Sequence, residues 1–465
     1  MKIKTFLTFW VLTFLLAACT MVPNYKKPKI DVPLQTEDET KPKITKISWQ
    51  EFFNSPDLQR VIKIALQNNR DLKIANLSIE SAQATHGVAR SNLLPSINAN
   101  AAETRQKAAG SFSSFTPKKQ FRANLTLTSY EIDFFGRLRS LKKSALEDFL
   151  GQEQAAKSVK ISLIAETANT YAQLLCDSEI LEVLQESLNA QIQRFELIKV
   201  RYENGIDSQT DFLNATAAIE ISKTNLEIYK KLVTQNKNAL LALMASFDAK
   251  NLPRDRSLGD IKINENLLNF TPSKSLLSRP DIQEAEHALK SANANIGAAR
   301  AAFFPTISLT GNYGYGSREL NGLFDSRTWA FTPQISLPIF SGGRNYANLQ
   351  IANVRKKIEI INYEKAIQNA FREASNGFAQ REFAANQLKS FEQILDARQK
   401  SQQISNAKRQ AGISSKLDEI DSKIAFFAAK QNQLNAKKEY LANAIDLYKI
   451  LGGGAEIKDF KSSKK

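Results

Sequence analysis

Few side chains in this sequence have types and spacings that could carry out chemistry. The 465-residue chain contains two cysteines, Cys19 and Cys176, and two histidines, His86 and His287. Neither histidine has a cysteine nearby in the sequence, and neither belongs to a metal-ligand or nucleophile–base spacing, so the sequence predicts neither a metal site nor a Ser-His-Asp site. We therefore expect a protein that is not an enzyme and that binds neither a metal ion nor a cofactor.

Cys19 follows a sequence that signals covalent modification. A positively charged start and an apolar stretch at residues 6–18 predict a secretory signal peptide at 1–18, because the stretch is shorter than the ~20 residues of a spanning helix. The order Leu16-Ala17-Ala18-Cys19 resembles the bacterial lipobox, in which the cysteine is acylated and becomes the first residue. Thr20 follows instead of Asp, which favours the outer membrane. An ordinary signal peptide that contains a cysteine is the alternative.

The charge of the chain does not by itself define a partner. The formal net charge is +16, a balance that is compatible with nucleic-acid binding. The lysines and arginines are, however, spread through long amphipathic stretches without an aromatic and basic patch. We therefore expect a solvated surface and no nucleic-acid partner.

Two carboxylates near the C-terminus share one face of a predicted helix. Asp418 and Asp421 lie three residues apart, which places them on the same face. Asp418 follows Leu417, and Asp421 follows Ile420. The two carboxylates therefore lie one position beyond the apolar residues, and their face of the helix need not be buried. Like charges brought close together raise one another's pKa or bind cations. A solvated acidic helix face is the alternative.

The elements that position these residues occur twice in the chain. The stretch ARSNLLPSINANAAE at 89–103 corresponds to ARAAFFPTISLTGNY at 299–313, and YENGIDSQTDFLNA at 202–215 corresponds to RQAGISSKLDEIDS at 409–422. Such duplication predicts two copies of one structural unit. The predicted parts are the lipidated N-terminal segment and equatorial part (19–60), the first repeat (61–250), an equatorial connector (251–278), the second repeat (279–453) and a C-terminal tail (454–465).

Each repeat contains a pair of predicted strands, at about 94–104 and 121–134 and at about 304–316 and 329–340. Apolar and polar residues alternate along them and aromatic residues lie near their ends, as in strands that cross a membrane. Four strands cannot enclose a lumen, and open edges cannot face lipid, so such a chain must oligomerise. A small soluble pair of β-hairpins at the end of a helical rod is the alternative.

Long helices are predicted in both repeats, in hairpins at 137–249 and 344–450 with turns near Gly205 and Gly412. The stretch 137–204 contains no proline and one glycine, and a helix of that length spans on the order of 100 Å. In the second hairpin the predicted seam includes Ile394 and Ile404 but also smaller and polar residues. We therefore hypothesise that the second hairpin is held more weakly and moves; a seam that faces a wet lumen is the alternative.

The opening WQEFFNSPDLQRVIKIALQNNRDLKIA at 49–75, the strand-to-helix junction SYEIDFFGRL at 129–138 and the duplication resemble the TolC/OprM outer-membrane factor family, in its lipoprotein drug-efflux branch. The resemblance implies a mainly α fold with membrane β-structure. It implies a homotrimer with an α-helical periplasmic barrel and a twelve-stranded transmembrane β-barrel, to which each chain contributes four strands.

The resemblance also implies a function and a set of site residues. The function is passive conduction of drugs and other small molecules through the outer membrane, from an inner-membrane resistance-nodulation-division transporter and a periplasmic adaptor. The adaptor would contact the helix tips at Gly205 and Gly412. Asp418 and Asp421 would form the periplasmic gate, with Asp211 in the equivalent place in the first repeat.

The sequence leaves two questions open: which contacts lock the gate, and whether the architecture serves efflux or another role. Ser414 stands where TolC-like proteins carry an arginine, so the contacts that lock the gate differ in this chain. A duct for type I protein secretion has the same architecture, and a non-porous coiled-coil scaffold attached to the outer membrane is a third hypothesis.

Overall fold

The computed structural model describes residues 20–29, 47–107, 119–248, 250, 252, 257–268 and 276–454. The predicted signal peptide, Cys19 and all but the first residue of the predicted tail lie outside the described residues.

The described chain is mainly helical. Two helices of 67 residues are each followed, after a short turn, by a helix of 35 residues. At 1.5 Å per residue each long helix is about 100 Å in length. The helices are α1 (Trp49–Phe52), α2 (Pro56–Asn68), α3 (Arg70–Ser91), α4 (Arg137–Glu203), α5 (Gln209–Leu243), α6 (Pro280–Ala301), α7 (Arg344–Gln410) and α8 (Lys416–Ile450).

Four strands form one antiparallel sheet in the order β1-β2-β3-β4. They are β1 (Ile97–Arg105), β2 (Lys119–Ile132), β3 (Thr306–Ser317) and β4 (Arg327–Ser336). The ends of these strands differ by a few residues from the ranges that the sequence predicts. β1 and β4 are the edges of this sheet, and the β2–β3 register shifts between Leu127 and Tyr130, where Ser129 has a φ of +46°.

The two faces of the sheet differ in chemistry. Directly paired residues point to the same side of a sheet, so the register assigns each side chain to a face. On one face, which we call the apolar face, Leu125 pairs with Tyr313 and Tyr313 pairs with Trp329. On the opposite, polar face, Asn100 pairs with Asn124. This separation is the pattern of a strand that contacts lipid on one side and water on the other.

The chain folds into two compact units. One unit contains the described residues within 1–30 together with Leu77–Glu153 and Glu284–Lys365, and so includes the sheet. The other contains the described residues within Asp31–Asn76, Gln154–Gln283 and Ala366–Lys465, and so includes both hairpin turns. Each unit combines segments from both halves of the chain.

In the unit with the hairpin turns, one hydrophobic core joins the two hairpins. Ile219 and Leu226 on α5 and Phe427 and Leu434 on α8 belong to this core. Each is at most 9% exposed. Cys176 is buried in the same core, where its thiol donates a hydrogen bond to the Leu434 carbonyl at 3.6 Å.

In the unit with the sheet, the N-terminal segment 20–29 packs along α6. Asn293 Nδ2 donates a hydrogen bond of 2.8 Å to the Pro23 carbonyl. Further along the segment, Lys27 Nζ lies 2.7 Å from a carboxylate oxygen of the buried residue Glu286. The segment that follows the predicted acylation site is therefore held against the protein by specific contacts.

No helix in the described residues has both the length and the apolar character that a membrane span requires.

The predicted seam of α7 needs a correction. Ile394 and Ile404 are 46% and 57% exposed in the chain, whereas Leu395 and Ser405 are half-buried. The Ser405 hydroxyl donates a hydrogen bond of 3.2 Å to the Asp418 carbonyl on α8, so this side of α7 meets α8. The prediction was one residue out of register because apolar residues occur on both sides of α7.

Candidate functional site

The turn of the first hairpin is built by a glycine and a capping box. Gly205 has a φ of +71°, a conformation that residues with a Cβ rarely adopt. Three residues later Ser208 caps α5, and its side chain accepts a hydrogen bond from the Asp211 backbone N–H. In return the Asp211 carboxylate accepts hydrogen bonds from the Ser208 hydroxyl at 2.6 Å and from its N–H at 3.2 Å.

The second hairpin repeats this turn. Gly412 has a φ of +74°, and Ser415 caps α8. The Asp418 carboxylate accepts hydrogen bonds from the Ser415 hydroxyl at 2.7 Å and from its N–H at 3.0 Å. Asp211 and Asp418 are thus structurally equivalent, as the repeat predicts. The serine hydroxyl and then the backbone N–H hold the pKa of each of these exposed carboxyls below its usual value.

The structure gives Asp421 a different partner. Arg194 Nε on α4 donates a hydrogen bond of 2.7 Å to the Asp421 carboxylate on α8, with both side chains partly exposed. Asp418 and Asp421 lie three residues apart on α8. The Asp418 carboxylate bonds to the cap of its own helix, whereas the Asp421 carboxylate bonds to the neighbouring hairpin. Of these two carboxylates, Asp421 is therefore the one that links the two hairpins.

Sequence reasoning missed Arg194. The resemblance implies a basic partner for the acids and locates it at Ser414, which is a serine here. The Ser414 hydroxyl is buried and has no hydrogen-bond partner within the described residues. Arg194 comes from the other repeat, and it follows no spacing that relates it to Asp421. Only the packing of the two hairpins reveals the pair.

The two turns are supported by different side chains. In the first hairpin the Phe212 ring stacks on Tyr202 at 5.1 Å between centroids and contacts Phe195 at 5.6 Å. The equivalent residues of the second hairpin are Gln402, Arg409 and Glu419. Glu419 instead forms an ion pair with the partly exposed Lys416, an interaction of small net energy at a surface. The contrast supports the hypothesis that the second hairpin is held more weakly.

Each turn also exposes an apolar side chain directly after its glycine. Ile206 is 65% exposed and Ile413 is 75% exposed. Both positions are equivalent in the two repeats, and sequence reasoning did not select them. The signal that could have found them is an apolar residue inside an otherwise polar turn, found in both repeats. An apolar side chain exposed on each turn is available for burial against a partner.

The family follows from a comparison with known proteins. A family model described as outer membrane efflux protein matches residues 61–246 and 271–453. The chain belongs to the outer membrane efflux protein family. These two matched segments cover most of the described chain, including the sheet and both hairpins.

Individual relatives agree with this assignment. The chain is 36% identical over 467 residues to the probable efflux pump outer membrane protein TtgC of Pseudomonas putida, a match that covers 97% of this chain and 96% of that protein. It is 33% identical to the outer membrane protein OprJ of Pseudomonas aeruginosa, with 94% of each chain covered. The open state of the Neisseria gonorrhoeae MtrE outer membrane channel has a TM-score of 0.83 and 35% identity, covering 94% of this chain and 99% of that chain.

These similarities confirm the predicted family, the fold class and the outer-membrane localisation. The relatives are efflux proteins and channels, which favours the efflux reading over protein secretion. The roles given to individual residues stay predictions: lipidation at Cys19, the gate at Asp211, Asp418 and Asp421, and adaptor contact at Gly205 and Gly412.

Proposed function

We propose that three copies of this chain form one gated duct, the outer-membrane component of a tripartite efflux pump. The observation that carries the proposal is the four-stranded sheet, which has one apolar face and edges, β1 and β4, that pair with no other described strand. Open edges are costly in lipid, and four strands enclose no lumen. Three copies supply twelve strands and leave no edge.

The size of the assembly tests this proposal directly. We expect the detergent-purified chain to have the mass of a trimer by light scattering and to conduct ions in a planar bilayer. A lone subunit that does not conduct would contradict the proposal and would favour the non-porous scaffold.

The hairpin turns would contact the periplasmic adaptor. The exposed side chains of Ile206 and Ile413 are suited to burial in a partner, and Gly205 and Gly412 shape the turns that present them. The adaptor in turn would connect the duct to a resistance-nodulation-division transporter in the inner membrane, which supplies the energy. Drugs and other small molecules would then pass through the duct without chemistry, so the proposed role is not that of an enzyme.

The gate would be held shut by the contact between Arg194 and Asp421. Opening requires the second hairpin to move, and a contact between hairpins opposes that movement. An adaptor opens the gate only if it binds the open state more tightly than the closed one. Asp418 would act differently, because its carboxylate holds the turn rather than the neighbouring hairpin, and Asp211 would do the same in the first repeat.

Single-channel conductance tests the gate. We expect Asp421→Ala and Arg194→Ala each to raise the conductance or the open probability, and the double variant to resemble either single one, because the pair acts as a unit. Glu220→Gln is the matched control, since Glu220 pairs with Lys223 within α5 and links no hairpins. Conductance in Asp421→Ala that equals the wild-type value would contradict this role.

Cys19 would carry the covalent lipid. The contacts of segment 20–29 on α6 would then fix the position of the lipid relative to the sheet-containing unit. Mass spectrometry of the mature N-terminus is expected to show an acylated cysteine, and Cys19→Ala is expected to abolish that modification. A mature protein that retains residues before Cys19 or that carries an unmodified thiol there would contradict the prediction.

A further inference from the structure

The basic residues of the strands are all at one end of the sheet. The four strands contain four lysines or arginines, namely Arg105, Lys119, Arg122 and Arg327. Arg105 is the last residue of β1, and Arg327 is the first residue of β4. Lys119 and Arg122 lie within the first four residues of β2. At this end β1 and β3 finish and β2 and β4 begin. The other end of the sheet, towards the long helices, contains no basic strand residue.

Three of these cations are on the apolar face. Arg105 pairs with Lys119, and Arg327 pairs with Tyr315. Lys119 is six residues from Leu125 on β2 and Arg327 is two residues from Trp329 on β4, and these even spacings place both pairs on the apolar face. Arg122 pairs with Gly316 and belongs to the polar face. We call the set Arg105, Lys119 and Arg327 the outer rim. It is a positively charged border along one end of a surface suited to hydrocarbon.

The charge of the outer rim is only partly balanced within the chain. Glu103 lies 2.5 Å from Arg105 and 3.4 Å from Lys119, so one carboxylate serves two cations. The Arg327 side chain is exposed, and its guanidinium forms no hydrogen bond or ion pair with any residue that the structure describes. Cations at the edge of a hydrocarbon layer are stabilised when anionic groups of the lipid lie beside them.

Aromatic rings lie directly below Arg327 on the same face. Trp329 and Tyr313 are paired across β3 and β4 and are 76% and 53% exposed. Tryptophan and tyrosine favour the boundary between hydrocarbon and polar headgroups, where the ring contacts apolar groups and its N–H or O–H contacts polar ones. A cation above two such rings matches a lipid with a phosphorylated sugar headgroup above acyl chains.

We propose that the outer rim binds the phosphate groups of a phosphorylated glycolipid of the outer leaflet, for which lipid A is the probe. This rests on the proposed function, because it requires the sheet to span the membrane with its loop end outward. Arg105 and Arg327 would contact phosphate through charge-assisted, bidentate hydrogen bonds. Trp329 and Tyr313 would pack against the sugar and the first methylenes.

The site would be completed between copies of the chain. Arg105 is on β1 and Arg327 is on β4, and these are the two edge strands of the sheet. When copies pair edge to edge, β4 of one copy adjoins β1 of the next, with both arginines at the same end. Each glycolipid would therefore contact two subunits, and binding would stabilise the assembly as well as one chain.

Binding of lipid A to the purified trimer tests the proposal. We expect R105Q/R327Q to weaken binding of bisphosphorylated lipid A by on the order of tenfold or more, because charge-assisted hydrogen bonds are lost. R122Q is the matched control: it removes one arginine from the same end of the sheet but from the polar face. Equal binding by R105Q/R327Q and wild type, or an equal loss in R122Q, would overturn the proposal.

Two further measurements use the wild-type trimer, so they do not depend on folding of the variants. Binding of bisphosphorylated lipid A is expected to weaken as salt concentration rises, and dephosphorylated lipid A is expected to bind less tightly. Insensitivity to both changes would overturn phosphate recognition, and equal binding of phosphatidylglycerol would overturn recognition of a glycolipid. Conductance of the same preparation in bilayers free of lipid A reports separately on the proposed channel function.

Discussion

At the scale of residues, Gly297 shows how closely the N-terminal segment approaches α6. A Cβ at this position would lie 2.6 Å from Val22 Cγ2, 2.7 Å from Ser140 Oγ and 2.9 Å from Val22 N. The last of these is a backbone atom that cannot rotate away. Glycine at this point of the helix therefore creates the space that the segment occupies.

We predict that Gly297→Ala releases segment 20–29 and exposes it to protease. The matched control is Gly87→Ala on α3, where a Cβ would have no neighbour within 4 Å. Alanine in an exposed helix is favoured over glycine by roughly 0.5–1 kcal/mol, so this control should be slightly stabilising. Limited proteolysis followed by mass spectrometry of the N-terminal fragment measures the effect. Equal protection of the segment in Gly297→Ala and wild type would refute the prediction.

Glu286 makes the same attachment sensitive to pH. Burial alone would raise the pKa of Glu286, but hydrogen bonds from Lys27 and Lys290 outweigh burial and lower it below its usual 4.5. A lowered pKa contributes stability above the unfolded pKa, and that stability is lost as pH falls through the folded value. We therefore predict that acidification below about pH 4.5 loosens segment 20–29 in the wild type.

Glu286→Gln isolates this effect. The variant lacks the titrating group, so its segment should be less protected at neutral pH and its protection should change little on acidification. Protease sensitivity of the segment between pH 7 and pH 3 compares the two proteins. A wild-type segment that remains equally protected throughout this range would contradict the assignment to Glu286.

At the scale of elements, the two hairpin turns share a backbone design but differ in side-chain support. Both use a glycine with positive φ and a Ser-x-x-Asp capping box. Only the first adds an aromatic contact, between Phe212 and Tyr202. Loss of the cap should therefore destabilise the second turn more than the first, because fewer other contacts hold the chain there.

We predict that Ser415→Ala increases amide exchange over the first turn of α8 more than Ser208→Ala does over the first turn of α5. Each substitution removes a cap worth about 1 kcal/mol, but the aromatic contact limits fraying only in the first hairpin. Hydrogen–deuterium exchange of the two tip peptides measures the difference. Faster exchange in the Ser208→Ala tip would count against the weaker second hairpin.

The elements themselves were largely predictable from the sequence, whereas the contacts between them were not. Local signals indicated the strands and hairpins: period-two alternation along the strands, and long stretches without proline that meet at turns near Gly205 and Gly412. The side of α7 that packs was mispredicted because a helix with apolar residues on two sides offers two registers. The Arg194–Asp421 pair depends on how two distant helices meet, which no spacing within one helix encodes.

At the scale of the whole molecule, the unpaired edges of the sheet predict how copies associate. The edge strands β1 and β4 run antiparallel to their neighbours within the sheet, and an even number of strands allows the same pairing to continue between copies. A cylinder of twelve strands from three chains is the smallest closed arrangement that the proposed duct requires.

Cysteine cross-linking can detect this pairing. We predict that Ala102→Cys on β1, combined with single cysteines placed along β4, gives disulfide-linked dimers and trimers under mild oxidation, with alternate β4 positions reacting best. Ala123→Cys on the interior strand β2 should give none, because both sides of β2 are already paired. Products from Ala123→Cys that match those from the edge pair would indicate random collision rather than strand pairing.

Cys176 has a consequence for how this protein matures. Burial raises the pKa of its thiol to about 12, so almost none of it is the reactive thiolate at neutral pH. If Cys19 is acylated, the mature subunit has no reactive thiol available for thiol–disulfide exchange in the oxidising periplasm. Subunits can then associate at high local concentration without forming disulfide bonds to one another, and they need no isomerase to correct non-native disulfides.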